Sequence, residues 1–228
     1  MPKTVGAGWL AGQTSRLLRC GMWAGPIFTA TFLAEGAVRD GYRPLRHPVS
    51  SLALGPRGWV QTVNFAVTGV LTLAGAAGLG LAGDRLAASR PGPVLVAAAG
   101  AGLIASAGFR TDPVGGYPPG TPDMPATFGR AGTAHNLAAI PVFFGLPAAA
   151  ANYGWRSWRA GQTPGFAVYC AATAMIMPVT MVLAGAGASE SSRLGGYGGL
   201  FQRACIITGF AWLTALSARA LSGIPGKS

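Results

Sequence analysis

Six stretches of about twenty residues, each apolar and nearly free of charge, recur along this 228-residue chain and leave few folds open to it. They run approximately Leu17 to Val38, Val60 to Leu81, Pro91 to Phe109, Ala131 to Ala151, Gly165 to Gly185 and Leu200 to Leu221. A helix rises about 1.5 Å per residue, so each stretch matches the roughly 30 Å hydrocarbon core of a bilayer. The third is short and rich in Ala and Gly, and counts as a span because no charge falls between Pro91 and Phe109. Only 10% of the residues are charged. A soluble domain carries about 25%, and a chain this poor in charge needs lipid to cover much of its surface. The fold class that follows is all-α: a polytopic transmembrane bundle of six helices, with residues 1–228 forming a single transmembrane domain.

Strands do not fit. The runs lack the polar and apolar alternation of a transmembrane barrel. Gly69, Gly75, Gly78, Gly80, Gly100 and Gly102 instead suit helices packed backbone to backbone in lipid. Pro26, Pro141, Pro147 and Pro178 fall inside predicted helices, where a bilayer tolerates proline, often with a kink. The first helix is too long for a signal-peptide core and lacks a clean small-residue cleavage site, so it is expected to be retained. Cys20, Cys170 and Cys205 fall on three different helices without a C-x-x-C pair, which reads as buried free thiols.

The net charge of +11 does not point to nucleic acid, because the 17 cations lie singly or in loose pairs between apolar runs rather than in a basic stripe. They read as membrane-flanking charges. With the N-terminus inside, nine are cytoplasmic: Lys3, Arg16, Arg19, Arg85, Arg90, Arg156, Arg159, Arg219 and Lys227. Eight remain outside, so the cation rule is nearly balanced. The acids divide as Asp84 inside against Glu35, Asp40, Asp112, Asp123 and Glu190 outside. Trp155 and Trp158, interleaved with Arg156 and Arg159, read as an interfacial anchor on the fourth-to-fifth loop. The expected placement is a multi-pass inner-membrane protein with both termini cytoplasmic.

In that topology the long polar connections share the outer side: Arg39 to Trp59, Arg110 to Arg130 and Ser189 to Gly199. The inner loops, Gly83 to Arg90 and Gly154 to Pro164, are short. Sites concentrate on loops held by a rigid scaffold. The first connection sets Leu45, Val49, Leu52 and Leu54 among turn residues. Three arrangements fit it: an interfacial segment with its apolar side on lipid and its arginines on head groups, a re-entrant segment packed between helix ends, or an ordinary surface loop. The second connection carries four prolines between Asp112 and Pro122 and cannot be regular helix.

Glu35, Asp112, His135 and Arg203 are all expected at similar depth near the outer ends of their helices. Ionisable groups at membrane depth face the bundle interior and find partners there. In one reading Arg203 pairs with Asp112 or Glu35 and clamps the helix ends. In the other, His135 or a carboxylate exchanges protons while Arg203 holds an anionic or carbonyl group. The catalytic candidates are therefore Asp112, His135 and Glu35; the substrate-binding candidates are Arg203, Gln202, His47, Arg46 and Asn136. His47 and His135 would serve one bis-histidine haem. His47, His135 and Asp112 would serve zinc only if the first connection folds over the bundle. A Ser50 or Ser51 hydrolase with His135 and Asp112 lacks a nucleophile elbow, and no phosphate-binding glycine loop is present. No metal and no cofactor are expected.

The stretch E-G-A-V-R-D-G-Y-R-P-L-R-H-P-V-S-S-L-A-L-G-P-R-G-W-V-Q from Glu35 resembles the signature of the DUF998 family of bacterial membrane proteins. T-D-P-V-G-G-Y-P-P-G-T-P from Thr111, G-T-A-H-N-L from Gly132 and G-L-F-Q-R from Gly199 match the same pattern. The resemblance spans nearly the whole chain and implies a six-helix inner-membrane protein with no known reaction. Relatives often carry H-G-x-x-H at the start of the fourth helix, whereas Ala131 replaces the first histidine here, so a mechanism that needs that pair does not carry over. Two functions stay open. One is a membrane-embedded acid–base enzyme on a lipid or isoprenoid-like substrate. The other is a non-catalytic lipid-binding, transport-accessory or assembly subunit. The expected partners are membrane lipid and a hydrophobic small molecule, with the oligomeric state open.

Overall fold

The computed structural model describes residues 3–83, 90–189 and 193–224, with side chains from residue 8 onward. Asp84, Arg85, Glu190 and Lys227, which enter the charge balance, lie outside the described residues, as does the Lys3 side chain. Six helices are long and apolar enough to cross a membrane. They are α1 (Lys3–Val38), α2 (Gly58–Ala82), α3 (Pro91–Gly108), α4 (Arg130–Arg159), α5 (Pro164–Ala188) and α6 (Gly198–Ser222). The third stretch is a helix of full spanning length despite its small residues. No β-strand forms among the described residues. The chain is a multi-pass membrane protein whose lipid-facing surface contacts membrane lipid.

Two helices exceed their expected bounds. α1 begins well before Leu17, because Gln13, Thr14, Ser15 and the residues before them continue the helix although they are too polar to register as a span. α4 runs to Arg159, so Trp155, Arg156, Trp158 and Arg159 form its last turns rather than a loop. Both tryptophans stay exposed there, and Arg159 lies over the Trp155 ring.

Consecutive helices pack side by side, and α6 closes back on α1, giving an antiparallel ring of six. Glycine sets the closest crossings. A Cβ on Gly75 of α2 would stand 2.5 Å from Gly21 Cα of α1, and one on Gly69 would stand 2.7 Å from Gly100 O of α3. Lipid tails supply no hydrophobic drive between helices, so this backbone contact is what holds them. Gly80 does not share the role, since the nearest atom to its Cβ is 3.9 Å away. Gly75→Leu should therefore lower stability by about 1–3 kcal/mol through overpacking, read as a falling unfolding midpoint in detergent. Gly80→Leu should leave the midpoint nearly unchanged; equal effects of the two would remove the crossing argument.

At one end of the ring, the capped end, lie the connections 39–57 and 109–129 and residues 189 and 193–197; residues 83 and 90 and the connection 160–163 lie at the other. α4 bends along its length. It contains one wide π turn, Pro141–Gly145, between two α-helical halves. Pro141 lacks the N–H that would bond to the carbonyl of Leu137, which loosens the ladder at that point. Both halves pack on α3, and the far half, Leu146–Arg159, packs on α5 as well, which the half nearer the cap, Arg130–Ile140, does not. The cap-side halves of α4 and α5 are thereby parted.

Candidate functional site

The first connection turns inward. It carries a 3-10 turn over Val49–Ala53 and buries Val49, Leu52 and Leu54 in the common core. Of the four apolar residues only Leu45 stays exposed, so the segment packs between helix ends rather than lying with its apolar side on lipid. Burial of the three side chains is possible because α6 satisfies the backbone polar groups beside them. Leu200 N–H donates to Leu45 O at 2.8 Å, Gly199 N–H to Arg46 O at 3.1 Å, and Val49 N–H to the Gln202 side-chain oxygen at 2.8 Å. Gly199 has to be glycine, because a Cβ would stand 2.5 Å from His47 O.

Arg203 completes this fastening. Its guanidinium donates to the carbonyls of Pro44, His47 and Gly199 and to the Tyr42 hydroxyl. It pairs with neither Asp112 nor Glu35, so the clamp of the first sequence reading does not form. The reason is local: the inward connection brings carbonyls within reach one turn inside α6, and five fixed N–H donors suit several carbonyls better than one carboxylate. Glu35 finds other partners, Arg39 at 2.6 Å and Arg57 at 2.5 Å. Arg39 and Arg57 thus pair within the protein, as does Arg46, which meets Asp123 at 2.6 Å.

The second connection locks onto the first. Gly115 and Gly116 have φ of 69° and 75°, and Tyr117 is buried edge-on against Tyr42. His47 joins the two segments: its Nδ1 accepts from Arg43 N–H at 2.9 Å, and its Nε2–H donates to Gly115 O at 2.9 Å. Burial, and then the cations Arg46, Arg43 and Arg203, hold the His47 pKa below its ordinary 6.5, although the Gly115 carbonyl pulls it upward. Because the folded value is depressed, the unfolded chain takes up the proton first, so stability present above about pH 6.5 is lost as the pH falls through 6.5 toward the native value. Unfolding midpoints in detergent should decline from pH 7.5 to 5. His47→Gln should flatten that slope; an unchanged slope would assign it elsewhere.

Asp112 sits over the first turn of α4. Its carboxylate accepts Gly129 N–H at 2.8 Å, and a Cβ on Gly132 would stand 2.0 Å from it. An anion there meets the unpaired N–H groups and positive dipole end of the helix. His135, one turn further along, directs its Nδ1 to Ser106 O at 3.0 Å and Phe109 O at 2.9 Å, the last carbonyls of α3. Asp112, His135 and a serine are therefore not linked as a triad. His47, His135 and Asp112 do not assemble as a metal-ligand set among the described residues.

Beneath the cap, where α4 and α5 part, lie two adjacent cavities that share part of their lining. An outer vestibule of about 690 Å³ is bordered by Arg46, Thr111, Asp123 and the glycine-rich end of α5. An inner chamber of about 270 Å³ descends along α4 past Ala139, Ile140, Phe143 and Phe144, between Phe28, Phe65 and Ile206. Ser50, Asn136, Met181 and Gln202 border both, forming a polar waist between them. Ile140 and Phe144 line the chamber and yet are 46% and 67% exposed on the membrane-level surface of α4, so the chamber opens sideways. The π turn presents Val142, Phe143 and Phe144 together to this space.

Of the eight sequence candidates, His135, Asn136, Gln202 and Arg46 border these cavities. Asp112, Glu35, Arg203 and His47 instead fasten the helix ends and the cap. Reading the sequence missed Ser106, a lone hydroxyl on an apolar helix, and the phenylalanines of the π turn. Pro141 was their one local signal.

The chain matches, over residues 22–219, the family described as Protein of unknown function (DUF998). It belongs to the DUF998 family. The stretches that carry the family resemblance in this DUF998 protein are largely the segments that interlock to roof the cavities, together with the cap-side turns of α4 and α6. No curated protein and no solved structure matches the chain.

Proposed function

We propose that this DUF998 protein binds a membrane amphiphile, taken in sideways between the cap-side halves of α4 and α5. The observation that carries this reading is the pairing of a polar-rimmed vestibule with an apolar chamber open at membrane level. Ligand sites combine a mostly apolar lining with a few converging polar groups, which describes the chamber and its waist. A lipid would keep its head at the waist, near Asn136 and Gln202, and its chain against Ala139, Ile140 and Phe143. The non-catalytic alternative is favoured over acid–base catalysis, because Glu35 and Asp112 are both engaged in holding structure. The protein is read as an inner-membrane resident with cytoplasmic termini, which puts the capped end on the outer side.

Native mass spectrometry of the detergent-purified protein tests the reading. Wild type should retain an amphiphile adduct. Ala139→Phe, which fills the chamber, should lose it while its helical circular dichroism is kept. Equal retention by both would place the lipid on the outer surface of the bundle and end the proposal.

A further inference from the structure

His135 sets a chemical requirement on whatever occupies the inner chamber. Its Nδ1 lies within hydrogen-bond distance of two carbonyl oxygens, Ser106 O and Phe109 O. Carbonyls accept and never donate, so Nδ1 carries the hydrogen and the tautomer is set by geometry. Nε2 is then a lone-pair acceptor, and the ring lines the chamber. Beside it is Ser106, which also lines the chamber and whose buried hydroxyl has no hydrogen-bond partner. Polar atoms left unmet at membrane depth are costly, because no bulk water reaches them. Gln202 adds a donor at the waist, since its oxygen is already taken by Val49 N–H and its NH2 remains.

The rest of the lining decides between ligand classes. Among the described residues, no Asp, Glu, Lys or Arg borders the inner chamber. A phosphate or carboxylate would set acceptor against acceptor at Nε2, with no cation to compensate. An ammonium would enter an apolar space without a carboxylate. A hydroxyl both donates and accepts, which answers Nε2 and the Gln202 amide together. We infer that the ligand is a neutral lipid alcohol whose hydroxyl donates to His135 Nε2 and accepts from the Gln202 amide. Its chain runs along α4 from His135 to Phe144, about 13 Å of helix. This inference rests on the amphiphile-binding reading and adds the head-group chemistry to it.

The probes are hexadecan-1-ol, its methyl ether and hexadecanoic acid, titrated into the full-length protein in detergent and followed by native mass spectrometry. The ether keeps the chain and the accepting oxygen but has no hydrogen to donate. The alcohol should bind about tenfold more tightly than the ether, the size expected when one buried acceptor is left unmet. His135→Asn leaves an amide to cap the α3 carbonyls while removing Nε2, and should bring the ratio close to one. Histidine ¹⁵N spectra give a readout that does not depend on a variant folding. Only two histidines are present, and they hold opposite tautomers, so their signals separate. The unprotonated His135 Nε2 resonance should move on addition of alcohol and stay in place with ether. Equal binding of alcohol and ether, tighter binding of the acid, or an unmoved resonance overturns the hydroxyl inference and leaves amphiphile binding standing. Binding of every probe unaffected by Ala139→Phe, or binding of none, overturns both.

Discussion

Arg203→Met should detach the cap from α6 and lower stability by about 3 kcal/mol, the order expected when buried acceptors lose a charged donor. The substitution keeps an apolar stem of similar length but removes every guanidinium contact to Pro44, His47, Gly199 and Tyr42. The Pro44 and His47 carbonyls belong to an inward-turned segment that cannot reach bulk water without unpacking Val49 and Leu52. Arg203→Lys should recover little, because a single ammonium cannot span four acceptors held around a planar fork. Denaturant unfolding in detergent measures the loss, and limited proteolysis between Arg43 and His47 reports where it occurs. A change under about 0.5 kcal/mol, the range of an ordinary surface substitution, would show that the cap is held by its apolar contacts alone.

Glu35→Gln should destabilise to a similar extent, about 3 kcal/mol, by stranding Arg39. The Glu35 and Arg39 side chains are 8% and 7% exposed, so neither charge is well solvated without the other. Arg57 is 56% exposed and contributes little, since solvent screens it. Arg39 is also held by Leu54 O and Arg57 O, which ties the end of α1 to the start of α2. Replacing both members, Glu35→Gln with Arg39→Met, should restore much of the loss, because breaking a buried pair from one side costs more than removing it. If Glu35 acted as a catalytic acid instead, the single variant would keep its unfolding midpoint and lose activity on lipid.

The residues that made the site legible in the sequence were those whose chemistry is out of place. His135 and Arg203 stand out as ionisable groups on spanning helices, and both lie at the capped end. Their partners were not legible. Arg203 reads as a partner for a carboxylate because charge is the only clue a sequence offers, yet its acceptors are uncharged carbonyls of a distant segment. Asp112 reads as an acid poised for proton transfer, whereas its carboxylate rests on the N-terminal turn of α4. The chamber had no direct signature, because it arises from α4 leaving α5 over half its length. Pro141 marks the place of that change but not its direction.

The sequence by itself determined the six spans and the clustering of long connections at one end, because hydropathy over twenty residues is a local property that the bilayer reads directly. It also placed the glycines that let α1, α2 and α3 approach. Only the tertiary structure decided that the first connection folds inward, which carboxylates hold structure, and where a cavity opens to the membrane. Those depend on pairings between residues more than 150 positions apart, such as Tyr42 and Pro44 with Arg203, and on where one helix parts from its neighbour. No local pattern encodes them.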